Sequence, residues 1–162
     1  GQGVARRLHD GFGLKVLYHN RSAVPSAEKK YGAKRVGLKE LLKRSDIVTL
    51  HVPLLESTRH LIGKAELKLM KKTAYLINTA RGPVIDEVAL IEALRAKQIA
   101  GAGLDVFELE PQIPATMTRL ANVVTTPHTA SATIETRQAM SRIAASNIIA
   151  VLSGKRPKNK VV

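Results

Sequence analysis

The sequence predicts an α/β fold: a doubly wound parallel sheet in three layers, with helices on both faces. Three observations carry this. Apolar runs of strand length alternate with helical patterns along the whole chain. Hydrophobic residues make up 44% of the sequence but aromatic ones only 3%, so the core is aliphatic, as suits strands buried under helices. Reactive side chains fall just after the apolar runs, the edge at which open parallel sheets bind ligands.

A chain of 162 residues fits one domain and can bury roughly 70% of its unfolded surface. It has no cysteine, which excludes disulfides and thiolate chemistry. No run of about 18 apolar residues spans a membrane and no signal-peptide pattern is recognised, so the expectation is a soluble, cytoplasmic protein. The net charge of +13 favours anionic ligands. Lys64, Lys68, Lys71 and Lys72, and the tail with Lys155, Arg156, Lys158 and Lys160, read as solvated faces. Without interleaved aromatics or a nucleic-acid motif, they argue against nucleic acid as a partner.

In order, Val4, Ala5 and Leu8 mark a first helix ending near Gly11 and Gly13. Residues 15–19 read as a strand with Asn20-Arg21-Ser22 as its polar exit, followed by a weak helix over 26–31 and another over 38–44. Residues 47–52 form an apolar run stopped by Pro53; a loop then leads to a Lys-rich helix over 64–70. Residues 74–77 suit a buried strand that Gly82 and Pro83 stop, which puts Arg81 at its carboxyl end. Asp86 has the place of an N-cap for a helix to about Lys97, with Ala89, Leu90, Ala93 and Leu94 on its apolar face. A strand over 100–105, a long loop, a strand over 123–126 and a long helix over 131–152 complete the pattern.

Strand ends thus carry Asn20 to Ser22, Arg81, Asp105 with the loop to Glu110, and His128. In a parallel sheet these ends share one edge, so an arginine, a carboxylate and a histidine are placed to converge on a cleft. A guanidinium there matches a carboxylate with a planar fork. His9, His19, His51, His60 and His128 show no zinc-ligand spacing.

His51-Val52-Pro53-Leu54, Asn78-Thr79-Ala80-Arg81-Gly82, Gly101-Ala102-Gly103-Leu104-Asp105-Val106-Phe107, Glu110-Pro111 and Pro127-His128 together resemble the NAD(P)-binding Rossmann domain of the D-isomer-specific 2-hydroxyacid dehydrogenases. The resemblance runs along essentially the whole chain, with Glu110 29 positions beyond Arg81 and His128 18 beyond Glu110. It implies hydride transfer between NAD(P)H and a small 2-oxo acid, with glyoxylate or hydroxypyruvate as substrate. Arg81 would hold the substrate's carboxylate and carbonyl, His128 would protonate the carbonyl oxygen, and Glu110 would orient and charge the imidazole. For the cofactor it implies Gly1, Asn20, Arg21, Ser22, His51, Val52, Pro53, Thr58, Thr79, Ala80, Arg81, Asp105, His128 and Ala130, with Asp105 facing the nicotinamide carboxamide. It also implies a homodimer.

The Rossmann fingerprint places an acid on the ribose 2′-hydroxyl about 20 residues after its glycines. Asn20 stands there instead, and with Arg21 and Ser22 as donors it removes the repulsion of a 2′-phosphate. NADP(H) is therefore expected over NAD(H). Gly1 resembles the third glycine of the fingerprint, so the whole chain, 1–162, is expected to be an incomplete cofactor domain. Its first strand, expected between 15–19 and 74–77, and the substrate domain would be absent. Two other readings are a dinucleotide-sensing module resembling the corepressors of this fold, and an inactive fragment.

Overall fold

The computed structural model describes residues 1–160. It divides into two compact units, the first Gly1–Pro127 and the second beginning at His128.

The first unit runs α1 (Gln2–Phe12), β1 (Leu17–Tyr18), α2 (Pro25–Tyr31), β2 (Lys34–Arg35), α3 (Leu38–Arg44), β3 (Ile47–Leu50), α4 (Lys64–Leu67), β4 (Tyr75–Asn78), α5 (Glu87–Arg95), β5 (Gly101–Leu104), α6 (Ala115–Thr118) and β6 (Val123–Thr125). Short 3-10 turns occupy Glu56–Thr58 and Gly82–Val84. The second unit is built on α7 (Ile134–Leu152), whose N-cap Thr133 accepts the Thr136 N–H on its side chain. Among the described residues, no helix is long and apolar enough to cross a membrane.

Every strand pairing is parallel. β3, β4, β5 and β6 form a four-stranded sheet in sequence order, and β1 pairs with β2 in a separate two-stranded sheet. Because Leu50 aligns with Asn78 and Asn78 with Leu104, the carboxyl ends of β3, β4 and β5 stand level. Alternate residues Val48, Leu50, Leu76 and Leu104 are buried in one cluster with Leu90 and Leu94 of α5 and Ile62 and Leu67. Burying each such leucine contributes roughly 1.5–3 kcal/mol. Asp86 caps α5 by accepting the Ala89 N–H (3.0 Å), and the anticipated face Ala89, Leu90, Ala93 and Leu94 is the buried one.

Three expectations need correction. Lys34–Arg35 is a strand that no alternating pattern announced, since both residues are polar and exposed. The loop after Phe107 contains the short helix α6. The predicted gap beside residues 74–77 is not there: β4 is flanked on both sides, by β3 and β5. The uncounted strand β2 accounts for the error. With it included, the edge strands of the larger sheet among the described residues are β3, beside His51, and β6, and β4 lies inside.

Candidate active site

Arg81 is presented by a turn that Asn78 builds. Asn78 ends β4 with its side chain 1% exposed. Its Nδ2 donates to the Arg81 carbonyl (3.0 Å) and its Oδ1 accepts the Ala80 N–H (3.0 Å), closing an Asx-type turn directly after the strand. The Arg81 Nη1 donates to the Ala80 carbonyl (2.6 Å), and the residue is otherwise exposed at the sheet's carboxyl edge. A guanidinium so tethered retains N–H groups for a planar anion.

The next strand supplies Asp105, 4% exposed. Its N–H donates to the Asn78 carbonyl (2.9 Å), and its Oδ1 accepts from the Thr126 hydroxyl (2.5 Å) just past β6. The ends of β4, β5 and β6 are thus tied side by side. Beyond Asp105 the chain turns at Phe107, whose N–H donates to Glu110 Oε1 (3.0 Å), so the Glu110 carboxylate is fixed on its own loop. This loop lies against the Arg81 turn without clearance. A Cβ at Gly82 would stand 1.9 Å from the Phe107 carbonyl oxygen and 2.5 Å from Glu108 N. Only glycine fits there.

At the end of β3, His51 shares a hydrogen bond with Thr49 (Nε2 to Oγ1, 3.1 Å). Its ring packs near Gly1, where an added Cβ would be 3.5 Å away. Its pKa is lowered, chiefly by loss of solvent. Val52 is half-buried and Pro53 exposed. The Thr58 hydroxyl donates to the Pro53 carbonyl (2.6 Å) and accepts the Leu55 N–H (2.8 Å), so it closes the 53–58 loop. Thr79 is exposed within the Asn78 turn.

Asn20, Arg21 and Ser22 leave β1 as an exposed turn. Arg35 of β2 fixes it: its Nη2 donates to the carbonyls of Asn20 (3.0 Å) and Arg21 (2.6 Å), and its Nε to Asn20 again (3.3 Å). The nearby Glu28 carboxylate is engaged by the Tyr18 hydroxyl. The turn therefore carries amide, hydroxyl and guanidinium groups and no acid. That donor set suits an anionic ribose phosphate. Gly1 is the N-cap of α1, which has no side-chain cap, and Gly1 and Gly3 on either side of Gln2 leave backbone N–H groups at that helix start open to an anion.

His128, Thr129 and Ala130 open the second unit, all exposed. His128 has a left-handed backbone, φ 53°, a conformation in which histidine is enriched among non-glycine residues. Among the described residues, no group of His, Cys, Asp or Glu is arranged to hold a metal ion.

Within the first unit the structure thus joins Arg81, Asp105 and the Glu110 loop at one edge. Thr126 and Arg35 are supporting residues that the sequence did not reveal, and the supporting contacts of the motif residues Asn78 and Gly82 appear only in the structure. An Asn three residues before the arginine was a signal for the turn. The approach of Gly82 to Phe107 and the reach of Arg35 are tertiary and left none.

Residues 1–130 match the family model for the D-isomer specific 2-hydroxyacid dehydrogenase, NAD binding domain. The chain is 51% identical over 161 residues to a glyoxylate reductase of Thermococcus litoralis, covering 99% of this chain and 48% of that protein. It superimposes on a crystal structure of a Thermus thermophilus protein with a TM-score of 0.92 at 44% identity, covering all of this chain and 50% of that one. For D-lactate dehydrogenase with NAD+ from Lactobacillus jensenii, the TM-score is 0.88 at 36% identity, covering all of this chain and 52% of that one. The chain therefore spans about half the length of these relatives. By sequence and Rossmann-like fold alike, it belongs to the D-isomer specific 2-hydroxyacid dehydrogenases.

Proposed function

We propose that this chain is the nicotinamide-cofactor-binding half of a reductase acting on a small 2-oxo acid, glyoxylate or hydroxypyruvate, with NADPH preferred to NADH. The observation that carries the reading is the Arg81 turn with the Glu110 loop packed onto it through Gly82. The similarity to a glyoxylate reductase supports the substrate class.

When bound, the cofactor supplies the hydride. The chain's own residues then have three tasks. Arg81, exposed at the end of β4, binds the substrate carboxylate with its free N–H groups and orients the carbonyl. His128 gives a proton to the carbonyl oxygen, which an imidazolium does near neutral pH. Glu110, by family resemblance, orients the imidazole. Asp105, buried and oriented by Thr126, serves the carboxamide end of the nicotinamide.

The NADPH preference rests on the acid-free turn Asn20-Arg21-Ser22 and the second guanidinium, Arg35, bound beneath it. A substrate-binding domain and a strand ahead of Gly1 complete the protein in this reading, consistent with relatives about twice as long. Its site is the cytoplasm and its state a homodimer; for the dimer the support is family resemblance.

Titration of the chain with NADPH and NADH, followed by nicotinamide fluorescence, tests the cofactor assignment. Saturable binding tighter for NADPH is expected. Tighter NADH binding would reject the preference. Binding without hydride transfer to any 2-oxo acid in the full-length protein would favour the dinucleotide-sensing alternative.

A further inference from the structure

Behind the Arg81 turn lies a group of titratable side chains that the proposed mechanism does not use. His60 Nε2 is 2.6 Å from Glu108 Oε1, with the His60 side chain 41% and the Glu108 side chain 24% exposed. The same Glu108 oxygen accepts the Glu87 N–H (3.4 Å), and Glu87 Oε2 accepts the Glu108 N–H (3.3 Å). His60 has a left-handed backbone, φ 49°, and its N–H donates to the Pro83 carbonyl (2.8 Å). Three segments meet here: the 56–60 turn, the start of α5, and the loop that carries Glu110.

The location gives the group its significance. The Glu108 amide held by Glu87 belongs to the peptide that presses on Gly82, next to Arg81. The adjacent Phe107 amide is the one that holds Glu110. A loop tip would ordinarily be free to shift. Here it is fastened from both sides within three residues of Glu110. Keeping two carboxylates, Glu87 and Glu108, beside each other is electrostatically costly, and burial with the Glu108 charge raises the Glu87 pKa. The hydrogen bonds from the Glu87 and Glu108 amides and the contact with His60 offset that cost.

We propose that His60, Glu108 and Glu87 form a clasp that sets the place of the Glu110 carboxylate relative to Arg81. They are positioning residues, and the inference rests on the reading of Glu110 as the partner of the proton donor.

The test uses the full-length protein and the variants Glu108→Ala, Glu108→Gln, His60→Ala and Glu110→Gln. Misplacing a catalytic group by about 1 Å costs up to about 100-fold in rate. Glu108→Ala is therefore expected to lower kcat by about 10- to 100-fold with little change in KM. It should also move the alkaline limb of the pH–rate profile to lower pH, in the direction that Glu110→Gln moves it. Glu108→Gln keeps the acceptor oxygen and restores most of kcat, and His60→Ala falls between. In the full-length protein, hydrogen exchange at the Phe107 amide should rise in Glu108→Ala and not in Glu108→Gln. If Glu110→Gln depresses turnover while Glu108→Ala leaves kcat, the pH limb and Phe107 exchange unmoved, the clasp is overturned and the catalytic reading stands. If Glu110→Gln leaves turnover intact, the reading of Glu110 fails and the clasp's role falls with it.

Discussion

Gly82 and Phe107 touch backbone to backbone: a methyl group on Gly82 would fall 1.9 Å from the Phe107 carbonyl oxygen. That contact fixes the spacing between the arginine turn after β4 and the acidic loop after β5. Gly82→Ala must push the two apart. Overpacking typically costs about 1–3 kcal/mol, and because both atoms here are backbone the upper end is expected. Denaturant unfolding of the variant checks the loss, and turnover in the full-length protein should fall with it.

Asn78 carries the Arg81 turn from a buried position. Asn78→Ala leaves the Ala80 N–H and the Arg81 carbonyl without their partner, at about 1–3 kcal/mol for each group that water does not reach. The expected signs are a lowered Tm and a raised KM for the 2-oxo acid, since the guanidinium loses its mount.

The proposed NADPH preference predicts a cofactor switch at the 20–22 turn. Asn20→Asp places a carboxylate where a 2′-phosphate would lie, so NADPH should weaken while NADH binding is kept or improves. Arg35→Gln removes a charge bonded to the Asn20 and Arg21 carbonyls. Hydrogen bonds to charged groups are worth about 1.5–3 kcal/mol, so NADPH affinity should fall by about tenfold or more, where about 1.4 kcal/mol is tenfold. Paired titrations with the two cofactors measure both changes. Equal losses for NADH and NADPH in Arg35→Gln would show a purely structural turn.

Glu87 predicts a pH dependence of stability. Its pKa is raised by burial and by the Glu108 charge, against the pull of its hydrogen bond from the Glu108 N–H. A folded-state carboxyl pKa above the unfolded one means that the folded chain binds the proton more tightly. Ionised Glu87 therefore costs stability at neutral pH, and the cost fades as pH falls through the raised pKa towards the ordinary value of 4.5. Glu87→Gln, which keeps an acceptor for the Glu108 N–H, should be more stable than the parent at about pH 7. The difference should close below pH 4.5. Chemical unfolding at several pH values measures this.

The legible part of this molecule is the part written in short-range pattern. The α5 face was readable because Ala89, Leu90, Ala93 and Leu94 recur at helical spacing behind a capping Asp86. Arg81 could be placed because an apolar run and Gly-Pro bracket it. β2 could not, since two exposed basic residues hold their strand only through β1, with Lys34 N–H on Val16 and Val36 N–H on Tyr18 (both 3.0 Å). Missing it displaced the expected sheet edge from β3 to β4. The site shows the same division. Arg81, Glu110 and His128, the residues proposed for catalysis, stand out in the sequence by residue type and spacing. The Gly82 contact, the Arg35 tether and the His60–Glu108 pair join residues 14 to 48 positions apart and exist only in the folded chain.

The most direct measurement is cofactor oxidation by the full-length protein with glyoxylate or hydroxypyruvate, comparing the parent with His128→Gln. The account predicts NADPH-dependent turnover that His128→Gln lowers by about 100-fold or more, the scale of a lost general acid, while NADPH affinity stays within a few-fold. Undiminished turnover in His128→Gln, or no turnover of any 2-oxo acid by the parent, would contradict it.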